Sequence, residues 1–334
     1  MLKDLIFLTA DKKLQQEVGN FLSEWHNESD YVIVKTSGST GIPKEYQVKK
    51  DHMRISARKT LSTFSIKKGG TAFLCLSTQT IAGKMMVVRA EENNMTLYVG
   101  DIRTTALDSL PIHSCDLMAI VPLQLDAALM SNPALIKNSK TVLLGGGPVS
   151  SEHLSNLKKV NASVIHTYGM TETLSHIAYR IVGNTTQESF TPLSGIGLRS
   201  VDSCLVIDYP ELGIIGLQTT DEVLIHPNGH FTILGRTDFV INSGGIKFHP
   251  EELESKITGV MDRPFFIGGL PDSHLGERLV LVIEGEKKEN DNHLLELIKD
   301  LLPKHGTPKE IHYISHFVRT ESMKIRRKET LSLL

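Results

Sequence analysis

The first two-thirds of the chain alternates short β-branched and aromatic runs with segments of helical period, and that alternation constrains the fold more than any other feature. Strands are expected at Tyr31–Lys35, Thr71–Leu76, Leu117–Val121, Thr141–Leu144 and Ser163–His166. Between them, Asp51 is placed to cap a helix with Met53, Ala57, Leu61 and Phe64 on one face, and Pro122 and Ser150 stand where further helices begin. Strands separated by helices pair in parallel, because the crossover returns the chain to the same end of the sheet. After Arg180 the pattern changes. Short β-like runs (203–208, 214–219, 222–225, 231–233) are separated by Gly, Pro and Asn, as in antiparallel structure. From Asp238 a second mixed pattern begins: helix 250–257, strand 279–284, helix 292–302, strand 311–315.

A chain of 334 residues exceeds what one core usually organises. The expectation is an α/β protein with a large N-terminal α/β domain that includes a β-rich subdomain, residues 1–236, and a small α+β C-terminal domain, residues 237–334. Lys and Arg total 36 against 38 for Asp and Glu, a net charge of -2, which offers no global field for nucleic acid or an anionic membrane. Cys75, Cys115 and Cys204 are far apart with no CxxC pair, arguing against a disulfide framework or zinc site. No signal peptide or membrane span is read from the sequence, and the expected location is cytoplasmic.

The strongest local feature is Thr36-Ser37-Gly38-Ser39-Thr40-Gly41-Ile42-Pro43-Lys44, directly after the first strand. Its glycines allow tight turns, its hydroxyls and free N–H groups suit phosphate oxygens, and Lys44 adds a positive charge. A solvated surface loop would have a similar composition. A Walker A loop fails on spacing, since Pro43 precedes Lys44 and Glu45 follows it. Further on stand Gly145-Gly146-Gly147-Pro148 and His166-Thr167-Tyr168-Gly169-Met170-Thr171-Glu172, where Glu172 is suited either to a metal or to capping a helix. Then follow Asp221, Gly235-Arg236-Thr237-Asp238, Ser243-Gly244-Gly245-Ile246-Lys247 and, near the end, Ser322-Met323-Lys324.

In that order, these blocks resemble the motifs of the AMP-forming adenylating enzymes: acyl-CoA synthetases, luciferases and the adenylation domains of peptide synthetases. The resemblance runs from Lys35 to Leu331. It implies ATP, Mg²⁺ and coenzyme A, with a small carboxylic acid as the other partner, no nucleic acid and no membrane; a homodimer is left open. By it, residues 36–41 and Lys44 hold the phosphates, and Gly146, Gly147, Pro148, Tyr168, Gly169 and Met170 line the adenine. Thr171 meets the α-phosphate, Glu172 holds the metal, Asp221 and Arg236 hold the ribose, and Asp238 is the hinge of a mobile C-terminal domain. Gly244, Gly245 and Lys247 face the pantetheine of coenzyme A, and Lys324 is the mobile cation of adenylation. Met323 departs from the family, which commonly has glycine before the lysine. Only 35 residues precede Thr36, so a trimmed N-terminal subdomain is expected.

Within the family, the stretch from Tyr168 to Ala178 and the compact length are most similar to the o-succinylbenzoate–CoA ligases of menaquinone biosynthesis. That branch implies an aromatic dicarboxylate whose second carboxylate needs a cation or hydrogen-bond donor. Lys84, Arg89, Ser175 and His176 are the candidates, with Thr80 where many relatives have histidine. The alternatives are another acyl-CoA or carrier-protein adenylating enzyme, or a member that binds ligand without turnover.

Overall fold

The computed structural model describes residues 1–35, 45–319 and 325–334. The chain divides into two compact units: residues 1–149, 153–198 and 207–217 form the first, and residues 150–152, 199–206 and 218–334 the second.

The first unit opens with β1 (Asp4–Phe7) and helix α1 (Lys12–His26), followed by an antiparallel ribbon of β2 (Tyr31–Lys35) and β3 (Glu45–Lys49). Helix α2 (Lys50–Thr63), β4 (Thr71–Leu74), α3 (Ile81–Glu92), β5 (Thr96–Val99) and β6 (Leu117–Ile120) come next. Then follow α4 (Pro122–Ser131), α5 (Pro133–Asn138), β7 (Val142–Leu144), α6 (Ser151–Lys159), β8 (Ser163–Gly169), β9 (His176–Gly183) and β10 (Thr191–Pro192). Eight strands form one sheet in the order β1-β5-β4-β6-β7-β8-β9-β10, parallel as far as β8 and antiparallel beyond it. Phe73, Ile120, Leu144 and Val164 of the strands share a buried cluster with Leu125, Leu135 and Leu157 of α4, α5 and α6. Each such side chain contributes roughly 1.5–3 kcal/mol by leaving water. Met53, Ala57 and Leu61 of α2 are buried as their spacing requires, whereas Phe64, expected on the same face, is the C-cap beyond the last turn and is only partly buried.

The structure corrects one cap. Strand β3 runs into α2 without a linker, so Lys49 takes the N-cap position and Asp51 falls in the first turn, paired with Arg54 at 2.7 Å. A carboxylate there still complements the helix dipole.

A four-stranded sheet follows, in the order β11 (Gly197–Val201), β12 (Cys204–Tyr209), β13 (Ile214–Ile225), β14 (Phe231–Arg236). The second unit holds β15 (Ile241–Ser243), β16 (Ile246–Phe248), α7 (Pro250–Ile257), β17 (Phe265–Asp272), β18 (Gly276–Glu284), α8 (Leu294–Lys299), β19 (Glu310–Ile314) and α9 (Arg327–Leu331). These strands form a sheet in the order β16-β15-β18-β17, with β19 parallel to β18. Leu253 and Ile257 of α7 and Ile298 of α8 pack with Ile267 and Leu281 to form its core. The expected change from a largely parallel sheet to smaller β-rich and α+β parts is thus observed. Cys75, Cys115 and Cys204 are buried and unbridged. Among the described residues no helix is long and apolar enough to cross a membrane.

Candidate adenylation site

Strand β8 ends at Gly169 because the chain must turn back at once into β9. A Cβ on Gly169 would sit 2.2 Å from the Ser175 carbonyl oxygen, so only glycine permits this approach. The intervening turn is closed by Leu174 N–H donating to the Thr171 carbonyl at 2.9 Å. The Thr173 hydroxyl accepts from Met170 N–H at 3.1 Å and lies 2.9 Å from the Ser175 carbonyl. Leu174 adopts φ +64°, a costly conformation for a branched side chain and one that clusters at functional turns. What this turn displays is Thr171 and an exposed Glu172.

Both residues border a cavity of about 280 Å³ that Tyr46, His52 and Leu212 also line. Glu172 has no hydrogen-bond or ion-pair partner among the described residues, and no cluster of three or more His, Cys, Asp or Glu there could cage a metal. An exposed carboxylate at this turn is the kind of ligand that Mg²⁺ takes together with substrate phosphates and water.

Behind the turn, the two expected adenine blocks are joined by a residue whose role the sequence did not reveal. Arg180, opposite His166 on β9, donates Nε–H to His166 Nδ1 at 3.1 Å. That nitrogen is therefore bare, the proton sits on Nε2, and Nε2–H donates to the Gly147 carbonyl at 3.3 Å. Burial, then the Arg180 charge, pushes His166 down to about 3, so the imidazole stays neutral. Gly147 belongs to a turn in which Gly146 has φ +84°. Thr167 Oγ1 also donates to the Leu144 carbonyl at 3.1 Å. Tyr168 meets Phe190 with ring centroids 6.0 Å apart. The Gly146–Pro148 turn and the 166–172 strand end are thus brought together as the family pattern implies.

On the acid side the candidates separate. Thr80 is the N-cap of α3: its hydroxyl accepts from Gly83 N–H at 3.4 Å and donates to the Ser77 carbonyl at 2.8 Å. Lys84 faces α1, 3.4 Å from a Glu24 carboxylate oxygen and 4.3 Å from the Phe21 ring centroid. Its charge is already matched. Arg89, further along the same helix, is 3 % exposed and has no carboxylate partner among the described residues. Burial alone pushes it down to about 10, still charged at neutral pH. It donates Nε–H to Thr60 Oγ1 at 3.3 Å and Nη2–H to Ser175 Oγ, with Met86 Sδ 3.8 Å from Nη1. His176, buried, lies 3.3 Å from both Thr60 Oγ1 and Ser175 Oγ, and burial followed by the Arg89 charge holds it well below its usual range. Arg89, Ser175 and His176 therefore converge; Thr80 and Lys84 serve α3 and α1.

In the second unit, β13 and β14 set Asp221 opposite Arg236. Arg236 forks onto Asp238 through two bonds of 2.9 Å and reaches Asp221 at 3.4 Å. Burial would raise Asp238, but the Arg236 hydrogen bonds and charge hold it below the usual carboxylate range. Gly244 and Gly245, at φ +60° and +79°, make the two-residue turn between β15 and β16 that needs positive φ at both positions, and Lys247 beyond it is exposed. The phosphate-loop residues Thr36, Ser37, Gly38, Ser39, Thr40, Gly41 and Lys44 lie outside the described residues, between the paired ends Lys35 and Glu45. So does Lys324, between the bridged residues Arg319 and Ile325.

A sequence model of the AMP-binding enzyme family matches residues 5–227. The chain belongs to the AMP-binding enzyme family. An acyl-CoA synthetase (AMP-forming)/AMP-acid ligase II-like protein from Dyadobacter fermentans is 31% identical, with a TM-score of 0.63 over 97% of this chain and 95% of that one. The 2-succinylbenzoate–CoA ligase of Bacillus pumilus is 23% identical over 94% of this chain and 71% of its own length. The fold also matches o-succinylbenzoate CoA synthetase from Bacillus subtilis in complex with its acyl-adenylate intermediate, at TM-score 0.78 and 21% identity, covering 89% of this chain and 68% of that one. An AMP-binding enzyme needs an adenine strand end, a phosphate loop and an acid site on one scaffold. In this chain, the turn between β8 and β9 links the candidate residues for the first, ending at Gly169, to Ser175 and His176, candidates for the third.

Proposed function

We propose that the chain is an ATP-dependent, AMP-forming 2-succinylbenzoate–CoA ligase that works through an acyl-adenylate. The observation that carries this reading is Arg89: a buried guanidinium without a carboxylate partner among the described residues, beside Ser175 at the foot of the adenylation turn. An uncompensated buried charge is costly, and a substrate carboxylate would supply the missing partner. A fatty acid would not. The nearby Lys84 offers no competing site, because Glu24 already pairs with it.

In the first half-reaction, an oxygen of one substrate carboxylate bonds to the α-phosphorus of ATP and the bond to pyrophosphate breaks. The chain contributes chiefly position and charge, since the transition state gathers negative charge on the phosphoryl oxygens. Residues 36–41 and Lys44 hold the phosphates, Thr171 the α-phosphate, and Asp221 with Arg236 the ribose. Glu172 would hold Mg²⁺, which when bound neutralises phosphate charge. Lys324 supplies the decisive cation. We place the functional boundary at 236/237, with residues beyond it turning about Asp238 to admit coenzyme A along Gly244, Gly245 and Lys247. The thiol sulfur then bonds to the acyl carbon, AMP leaves, and the thiol proton passes to solvent.

Glu172→Gln keeps the shape but removes the charge, so pyrophosphate release should fall about 10²-fold. Release at the wild-type rate would remove Glu172 from the metal site. For the acid, enzyme with ATP and CoA should convert 2-succinylbenzoate to its thioester and AMP. A monoacid analogue that keeps the reacting carboxylate but lacks the other, and fatty acids, should react at least about 10²-fold less efficiently. A simple benzoate or fatty acid that reacts far better than the diacid would overturn the substrate assignment.

A further inference from the structure

Arg89, Ser175, His176 and Thr60 form a closed ring of hydrogen bonds, drawn from α3, the start of β9 and α2. The ring admits one arrangement of protons. Arginine only donates, so both Thr60 Oγ1 and Ser175 Oγ accept from it. Thr60 gives its single proton to the Ser56 carbonyl at 3.2 Å, so it can only accept from His176 Nε2–H, 3.3 Å away. His176, neutral in this burial, is left with a bare Nδ1, which accepts the Ser175 hydroxyl proton at 3.3 Å. Thr60 is 0 % exposed and Ser56 is buried beside it, so water cannot substitute for a missing partner.

We infer that Thr60 is a positioning residue for the acid: it terminates the ring, fixes the plane of the Arg89 guanidinium, and thereby presents that group's uncommitted N–H donors to the substrate's non-reacting carboxylate. Thr60 is the only member that accepts two ring bonds and exports its proton, so the arrangement depends on its hydroxyl. A guanidinium held on one edge meets a carboxylate with two parallel bonds, whereas a free one must first be ordered. The inference rests on the reading of Arg89 as the diacid's partner.

The test compares wild type, Thr60→Val, Thr60→Ser and Arg89→Met with 2-succinylbenzoate and with a monoacid analogue that keeps the reacting carboxylate and lacks the other. Thr60→Val keeps the volume and deletes the hydroxyl. It should raise the KM for the diacid about tenfold while leaving kcat, the KM for ATP and the KM for the monoacid within about twofold. Thr60→Ser should restore the diacid KM. An unchanged diacid KM in Thr60→Val, or a parallel rise for ATP and monoacid, overturns the positioning role. If Arg89→Met abolishes the diacid preference and Thr60→Val does not, only the ring fails; if Arg89→Met leaves the preference intact, the reading of Arg89 itself fails. Nitrogen-15 NMR of His176 in the wild-type enzyme gives a measurement independent of variant folding. It should show Nε2 protonated and Nδ1 bare near neutral pH, and a protonated Nδ1 overturns the ring.

Discussion

Lys324→Ala should slow acyl-adenylate formation by about 10²–10³-fold, the loss expected when a charge placed for the transition state is removed. Given pre-made acyl-adenylate and CoA, the same variant should form thioester at close to the wild-type rate. The nearest alternative cations are already engaged. Arg327 forks onto Glu254 through two bonds of 2.7 Å and stacks over Phe239 and Phe266. Arg326 is 3.1 Å from Glu329. Neither is available to replace a lost lysine. Asp238→Pro, which fixes φ, should damage the complementary step of thioester formation. Asp238 also holds Arg236, so Asp238→Ala serves as the control: it loses the ion pair but keeps φ free, and should retain more of that step. Equal damage to both half-reactions in Lys324→Ala would show that the lysine is structural and that no change of state separates the steps.

Arg89→Met should cost a comparable amount with the diacid. Removing one partner of a buried charge pair costs about 3–5 kcal/mol, several hundred-fold or more in kcat/KM, because the remaining charge is left in a dry site. Methionine fills much of the same space beside Met86 without the charge, so stability should change little or improve. With a monoacid analogue the variant should match or exceed the wild type. If diacid and monoacid activities fall together, Arg89 holds up the fold instead of binding the substrate.

How far these sites were legible depends on whether their cause is local. The start of the strand at Ser163 and the buried face of α2 at Met53, Ala57 and Leu61 follow from neighbours within a few residues, and the structure has them where the sequence placed them, although the strand runs three residues past its expected end at His166, to Gly169. The choice between Lys84 and Arg89 is not local. Both lie on α3, and what separates them is Glu24, distant in sequence, which matches one charge and leaves the other unmatched. Arg180 and Thr60 were invisible for the same reason. Each is an ordinary residue of its strand or helix, and its importance comes from the histidine that the fold sets against it. Asp51 missed the cap because β3 leaves no spare residue before α2.

The pinch at Gly169, where a single methyl group would meet the Ser175 carbonyl, has an evolutionary corollary. Tyr168 and Ser175, candidates for the nucleotide and the acid, stand at opposite ends of one short covalent segment, so lengthening that segment would displace both candidate sites together. New acid preferences in this lineage should therefore be written on the inward faces of α2 and α3, where side chains can change without altering backbone length. Grafting those two helices between relatives is the economical way to exchange specificity.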